Sequence, residues 1–239
     1  MTRSRPRHRP LPRRDGSARR CAGVDRPSVI CTRVVVHYGV RVTEPSSSDP
    51  SRAVLRSASD LRAMAHPTRL RLLGALRMHG PQTGAMLGER VGEAAGTVSY
   101  HLRTLAKAGL VTDAEPQSGD RREHWWAAAH ETTTWDPVTL RADPEQAAAS
   151  AALQRVVGEV YAQRWAEYVD AAGEMPDEWV AAGLSTDSVL RLTVEELAEL
   201  REELMAVSSR WRARSAAHVE GDGSEPAALI AQTYRIPTP

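Results

Sequence analysis

Residues 94–111, AAGTVSYHLRTLAKAGLV, decide the fold of this chain. Val98, Leu102 and Leu105 recur at i, i+4 and i+7, one stripe of a 3.6-residue helix. Gly109 stands where a residue in the left-handed conformation would end that helix. Gly96, Tyr100, Arg103 and Lys107 fall on the opposite face, with Thr97, Ser99 and Thr104 on its flanks. That outward face carries cations, hydroxyls and a small residue but no carboxylate, which suits a DNA major groove. Arg can span a guanine edge with two hydrogen bonds, Lys and hydroxyls reach phosphates or bases, and small residues permit close approach. By itself the stretch reads equally well as a surface helix with a solvated basic face.

Its neighbours favour the first reading. Leu70, Leu73 and Leu76 mark a helix opened by His66-Pro67, with Pro in the first turn. A shorter helix follows from Thr83 as N-cap through Met86, Leu87 and Val91, and Gly92 to Gly96 forms a tight turn into the long helix. Helix, short turn, helix is the helix-turn-helix arrangement. Downstream, Leu110 to Glu115 predicts a strand, residues 116–120 are dense in turn formers, and Arg121-Arg122 leads into a second strand at His124-Trp125-Trp126. Three helices followed by a hairpin with a basic tip make a winged helix-turn-helix.

LRAMAHPTRLRLLGAL, followed by TVSYHLRTLAKAGLV and RREHWWAA, resembles the ArsR-like bacterial winged helix-turn-helix transcriptional regulators, over about residues 61–129. The resemblance implies a homodimer whose long helix enters the major groove while the wing touches the flanking backbone. It makes Thr97, Ser99, Tyr100, Arg103, Thr104 and Lys107 the groove or phosphate contacts, with Arg121 and Arg122 on the wing. His101 takes the family's common His position on the shoulder of the buried stripe, where packing and a local hydrogen bond are expected rather than base contact.

Composition agrees with this. The net charge of +1 conceals an asymmetry: residues 1–50 carry 11 Arg and 4 acids, residues 51–130 carry 11 Lys+Arg and 7 acids, and residues 131–239 carry 9 Arg and 19 acids. The winged-helix region is basic, as a polyanion-binding module requires, and the acidic C-terminal part should face away from DNA. Lys107 is the sole lysine, and Asn and Phe are absent, a pattern of high-GC bacterial genomes that lowers the weight of Arg richness. No stretch approaches the ~18 uninterrupted apolar residues of a membrane span. A cytoplasmic location is expected.

The expected fold class is mainly α with small β: a winged helix-turn-helix domain at 51–130 and a helical C-terminal dimerisation or sensing domain at 131–239 with a small two-stranded sheet. Residues 1–50, rich in Arg and Pro and without helical or strand period, are expected to be disordered. They read either as a basic arm on DNA or, up to residue 41, as a product of start-site choice, with the natural start near Val42. Ser51 to Ala65 is expected to be a helix that helps build the dimer or covers the core. Residues 131–143, with two Asp-Pro pairs, read as a linker, and Pro144 opens a helix to about Ala172 with a wide apolar face. A short helix at Pro176 to Ala182 and strands at Ser188 to Leu192 and Ala228 to Ile236 are expected. Thr193 and Glu196 form a capping box for a helix whose Leu197, Leu200, Leu204, Val207 and Trp211 repeat at 3, 4, 3, 4. That seam should pack on the Pro144 helix, in the same subunit or across a dimer.

No catalytic pattern is visible: no Gly-rich phosphate loop, nucleophile elbow or His-Glu-x-x-His. Cys21 and Cys31 lie ten apart in the Arg-rich arm, His124 and His130 read as unrelated surface groups, and no metal site, cofactor or enzymatic activity is expected. Tyr161, Trp165, Trp179 and Trp211 in the acidic part read first as core aromatics and second as a pocket for a small organic effector. The implied partners are therefore double-stranded DNA with an inverted-repeat operator, a second copy of the chain, and an organic effector. A protein-binding winged helix is the competing reading, but it has little need of cations on both the outward helix face and the wing.

Overall fold

The computed structural model describes residues 34–36, 51–117, 123–219 and 221–238. Helix α1 (Ala58–Met64) starts at a capping box in which Ser57 Oγ accepts from the Asp60 amide and the Asp60 carboxylate accepts from the Ser57 amide. The helix expected over 51–65 is therefore shorter. Ahead of it, Arg52–Val54 is strand β2, and β1 is Val34–Val36, inside the segment expected to be disordered. Helix α2 (Pro67–His79) is capped by the His66 ring, whose Nδ1 accepts from the Thr68 amide at 3.1 Å. Strand β3 (Gln82–Thr83) leads into α3 (Gly84–Val91), where Thr83 Oγ1 accepts from the Met86 amide.

Gly92 ends α3 with φ 67°, and α4 (Ala95–Lys107) follows, ended by Gly109 with φ 68° as its sequence requires. Gly88 matters for a different reason. A Cβ there would lie 2.9 Å from the Glu93 carbonyl oxygen, so only glycine lets α3 pass this close to the turn. Strands β4 (Val111–Ala114) and β5 (Trp125–Ala128) are antiparallel, and β3 pairs with the other edge of β5. Three helices and this three-stranded sheet are the winged helix-turn-helix; the tip at 118–122 lies outside the described residues.

The stretch expected to be a linker is built into the fold. Thr132–Trp135 is strand β6, the centre of a second sheet in which β1 and β2 both run parallel to it. Its Thr-Thr-Thr-Trp run is rich in β-formers, and Thr133, Thr134 and Trp135 are buried. Each Asp-Pro pair then starts a helix, with Asp as side-chain cap and Pro in the first turn: Asp136 for α5 (Pro137–Leu140) and Asp143 for α6 (Pro144–Ala171).

One core joins α1, α2, α3 and α4 to β6, α5 and the first half of α6, with Leu61, Met64, Leu72, Leu87, Leu102, Leu105 and Leu153 fully buried. It crosses the expected boundary at 130/131. Trp135 Nε1 donates to Ser150 Oγ at 3.2 Å inside this core, and the Arg77 guanidinium donates to the His130 carbonyl and the Thr133 hydroxyl, tying α2 to the same strand.

Beyond α6 lie a 3-10 turn (Ala172–Glu174), α7 (Asp177–Ala181) and α8 (Val194–Ser215), the last with its Thr193/Glu196 capping box intact. The strands expected at 188–192 and 228–236 do not form: neither segment pairs with another strand among the described residues, and their Val189, Leu190, Leu229 and Ile236 are exposed. The seam of α8 is half-buried at Leu197, Leu200, Leu204 and Val207, although α8 packs extensively on neither α6 nor any other described element; the alternative, packing across a dimer, concerns a second copy of the chain. Short apolar runs such as Val189-Leu190 and Leu229-Ile230 suit a strand, but composition alone supplies no partner to bond with.

Candidate nucleic-acid interface

Helix α4 is fixed from beneath and free above. Val98, Leu102 and Leu105 have no exposed surface, while Gly96, Thr97, Tyr100, Arg103 and Lys107 are exposed and Ser99 and Thr104 are half-buried. The Thr104 hydroxyl donates to the Tyr100 carbonyl at 3.0 Å, so it is engaged within the helix. Of the expected contacts, Thr97, Tyr100, Arg103 and Lys107 thus form one outward row, Ser99 sits at its edge, and Thr104 is partly withdrawn. Arg121 and Arg122 lie outside the described residues.

Behind the row lies a polar cluster that sequence reasoning identified only in part. The His101 and His66 rings are 4.4 Å apart, and Tyr100 meets His101 edge-on at 5.3 Å. The Thr68 hydroxyl donates to Glu93 at 3.0 Å, linking α2 to the turn before α4. His101 is buried and its Nδ1 has no hydrogen-bond partner, so the local bond expected for it is not made at that atom. Burial holds the pKa of both rings below the ordinary histidine value. The Arg69 charge adds to this for both, His66 adds to it for His101, and Glu93 opposes it. Burial also lowers the pKa of Arg69, with Tyr100 acting against it.

On the wing, His124 Nε2 lies 2.8 Å from Asp113 Oδ1 and the His124 ring stacks on Trp126 at 4.3 Å, so this histidine braces the two strands of the hairpin. Among the described residues, no three His, Cys, Asp or Glu side chains gather as a metal-binding group, and no helix is long and apolar enough to cross a membrane.

The aromatic residues of the acidic part divide. Tyr161 and Trp165 line an open groove of about 350 Å³ together with Gly158, Ala162, Ile230 and Gln232, between α6 and the C-terminal segment. Trp179 and Trp211 do not line it. Trp179 is on α7, and Trp211 is on α8, where the Arg214 guanidinium lies 5.1 Å from its ring.

Residues 64–114 match the family described as a helix-turn-helix domain. The chain is 42% identical over 67 residues to the HTH-type transcriptional regulator NmtR of Mycobacterium tuberculosis (strain ATCC 25618 / H37Rv), a match covering 28% of this chain and 55% of that protein. The chain thus spans about half the length of the curated relative it matches. Among solved structures, a "possible transcriptional regulator for arsenical resistance" is 28% identical, covering 42% of this chain and 95% of that one, with a TM-score of 0.26. The YusO protein of Bacillus subtilis is 16% identical, covering 66% and 84%, with a TM-score of 0.27. At those scores the superpositions are too slight to establish a shared architecture.

Proposed function

We propose that this chain, which carries an ArsR-like helix-turn-helix region, is a transcriptional regulator that reads double-stranded DNA with α4. The observation that carries this reading is the row Thr97, Tyr100, Arg103 and Lys107, cationic and free of carboxylates, on a helix whose opposite face is locked into the core. Arg103 reads a base edge, Thr97, Ser99, Tyr100 and Lys107 contact bases or phosphates, and Arg121 and Arg122 on the wing grip the backbone. The working unit is a homodimer on an inverted repeat with half-site centres about 10 bp apart. In this reading the chain works in the cytoplasm, and it binds without performing chemistry. Residues 131–239 serve dimerisation and sensing, and the groove at Tyr161 and Trp165 receives a small organic effector.

Selection of bound DNA from a random pool tests recognition and symmetry together. Arg103→Ala should then cost about 1–3 kcal/mol at the selected site and relax preference at one position. Arg121→Ala should weaken all sequences alike and reduce the salt slope by about 1. Unchanged specificity in the Arg103 variant would remove α4 from the role of reader.

A further inference from the structure

Arg69 stands in the first turn of α2, three positions after His66 and on the same face. The residue is half-buried, its Nε is buried without a hydrogen-bond partner, and Nη2 donates to the Arg62 carbonyl at 3.0 Å. Arg62 lies in the last turn of α1, so the guanidinium is pinned to the partly negative carbonyl end of that helix. Other arginines of these helices are met by protein groups. Arg62 pairs with Glu145 at 2.7 Å, Arg77 donates to the His130 carbonyl and the Thr133 hydroxyl, and Arg90 donates to Gln82 at 3.0 Å. Among the described residues Arg69 has no carboxylate within ion-pair distance, and the Arg62 carbonyl takes one of its five donors. Glu93, the acid of this cluster, accepts from Thr68 instead.

The Arg69 head lies beside the outward row of α4. Its charge acts on His66 and His101, and the Tyr100 phenol acts on it in turn. Tyr100 meets His101 edge-on at 5.3 Å and is 63% exposed. Burial strips part of the water from the guanidinium, which leaves it more to gain from an anion than a fully solvated arginine has.

We propose that Arg69 and the Tyr100 hydroxyl together hold a backbone phosphate of the duplex that α4 reads. A helix in the major groove turns its outer row to the bases, and the sugar-phosphate walls stand at its flanks; α2 packs against one flank of α4. The bond to α1 orients the Arg69 fork before DNA arrives, so little side-chain freedom is lost on contact. The phosphate accepts from the guanidinium and from the Tyr100 hydroxyl. Tyr100 thereby serves the backbone rather than a base, and Arg103 remains the base reader.

The inference rests on the DNA reading above, and its test is a phosphate-by-phosphate scan. The full chain selects a duplex from a random pool, and single methylphosphonates, each removing one backbone charge, are placed along the selected site. Neutralising the phosphate held by Arg69 should cost the unaltered chain about tenfold in affinity and Arg69→Met less than about twofold, while other contacted phosphates keep their effect in both. Arg69→Met should also lower the slope of log affinity against log salt by about 0.9 and leave base preference unchanged. Tyr100→Phe, a change at an exposed position, should reduce the effect of the same phosphate about threefold, and it decides the matter if Arg69→Met does not fold. Identical scans for the unaltered chain and the variants overturn the proposal, as does an Arg69→Met chain with altered base preference and an unchanged salt slope; Arg69 then only braces α1 against α2. A chain that selects no duplex refutes the DNA reading and this contact with it, whereas a selected duplex with identical scans refutes the contact alone.

Discussion

Residues 53–160 contain every buried side chain described in this molecule, and residues 161–238 contain none. The difference does not come from a shortage of apolar residues, because the second region exposes Leu184, Val189, Leu190, Leu192, Leu229 and Ile236. Nor does it come from weak local signals: α8 has a capping box as complete as that of α1. What the second region lacks is a second layer. A helix or an extended segment becomes a fold only when its apolar face meets another, and here that face is covered only in part, with Leu197, Leu200, Leu204 and Val207 half-buried.

The largest test of this contrast is truncation. Trp135→Ala removes a fully buried ring and its bond to Ser150, and should cost about 3–5 kcal/mol in denaturant unfolding. Leu190→Ala or Ile236→Ala, at exposed positions, should stay within about 0.5 kcal/mol. A loss at Leu190 comparable with that at Trp135 would show that the second region has a core of its own.

A smaller effect separates two helical glycines. At Gly88 an added Cβ would press on the Glu93 carbonyl at 2.9 Å, while at Gly158 on α6 nothing lies within 4 Å. Alanine gains about 1 kcal/mol of helix propensity at either site. Gly158→Ala should therefore stabilise by up to about that amount, whereas Gly88→Ala should destabilise by about 1 kcal/mol or more, because overpacking costs ~1–3 kcal/mol. Equal shifts in thermal midpoint would mean that the turn before α4 yields freely and that glycine is not required there.

The same contrast marks how far the sequence could be read. From 66 to 114 the winged helix was legible because each element carries its own punctuation: Pro67, Thr83, Gly92, Gly109 and a clean apolar stripe on α4. Strand β6 was missed because Thr132–Trp135 is apolar on neither alternate face and stands between turn formers; only its run of β-branched residues marked it. Its partners, β1 and β2, lie far away in the chain, a relation that no local pattern encodes. The strands expected at 188–192 and 228–236 failed in the opposite way, with short apolar runs and no pairing among the described residues. On α4, spacing was enough to tell the exposed row from the buried stripe but could not show Thr104 bonded back to Tyr100, or the His66–His101 contact across 35 positions of chain.

That contact gives the smallest expected effect, and it bears only on the region with a core. Burial lowers the pKa of His66 and His101 in the folded protein below the ordinary histidine value of about 6.5 that they approach when unfolded. The unfolded chain therefore binds more protons than the folded chain as pH falls through that value, and the linkage relation makes stability fall with it. Above about pH 7.5 both rings are neutral in either state and contribute no slope. Acid also removes a specific bond, because protonation of His66 Nδ1 ends its acceptance from the Thr68 amide and places a positive charge at the N-terminus of α2. The thermal midpoint should drop between pH 7 and 5.5, with DNA affinity following it as α4 loosens. His66→Asn, which keeps a capping side chain without a titrating ring, should flatten part of that slope, and His101→Gln the remainder. Glu93 attracts both protonated rings and Arg69 repels them, so Glu93→Gln should steepen the slope. A midpoint independent of pH over this range, or one that rises in acid, would mean that the two rings are more solvated than their 4.4 Å contact implies.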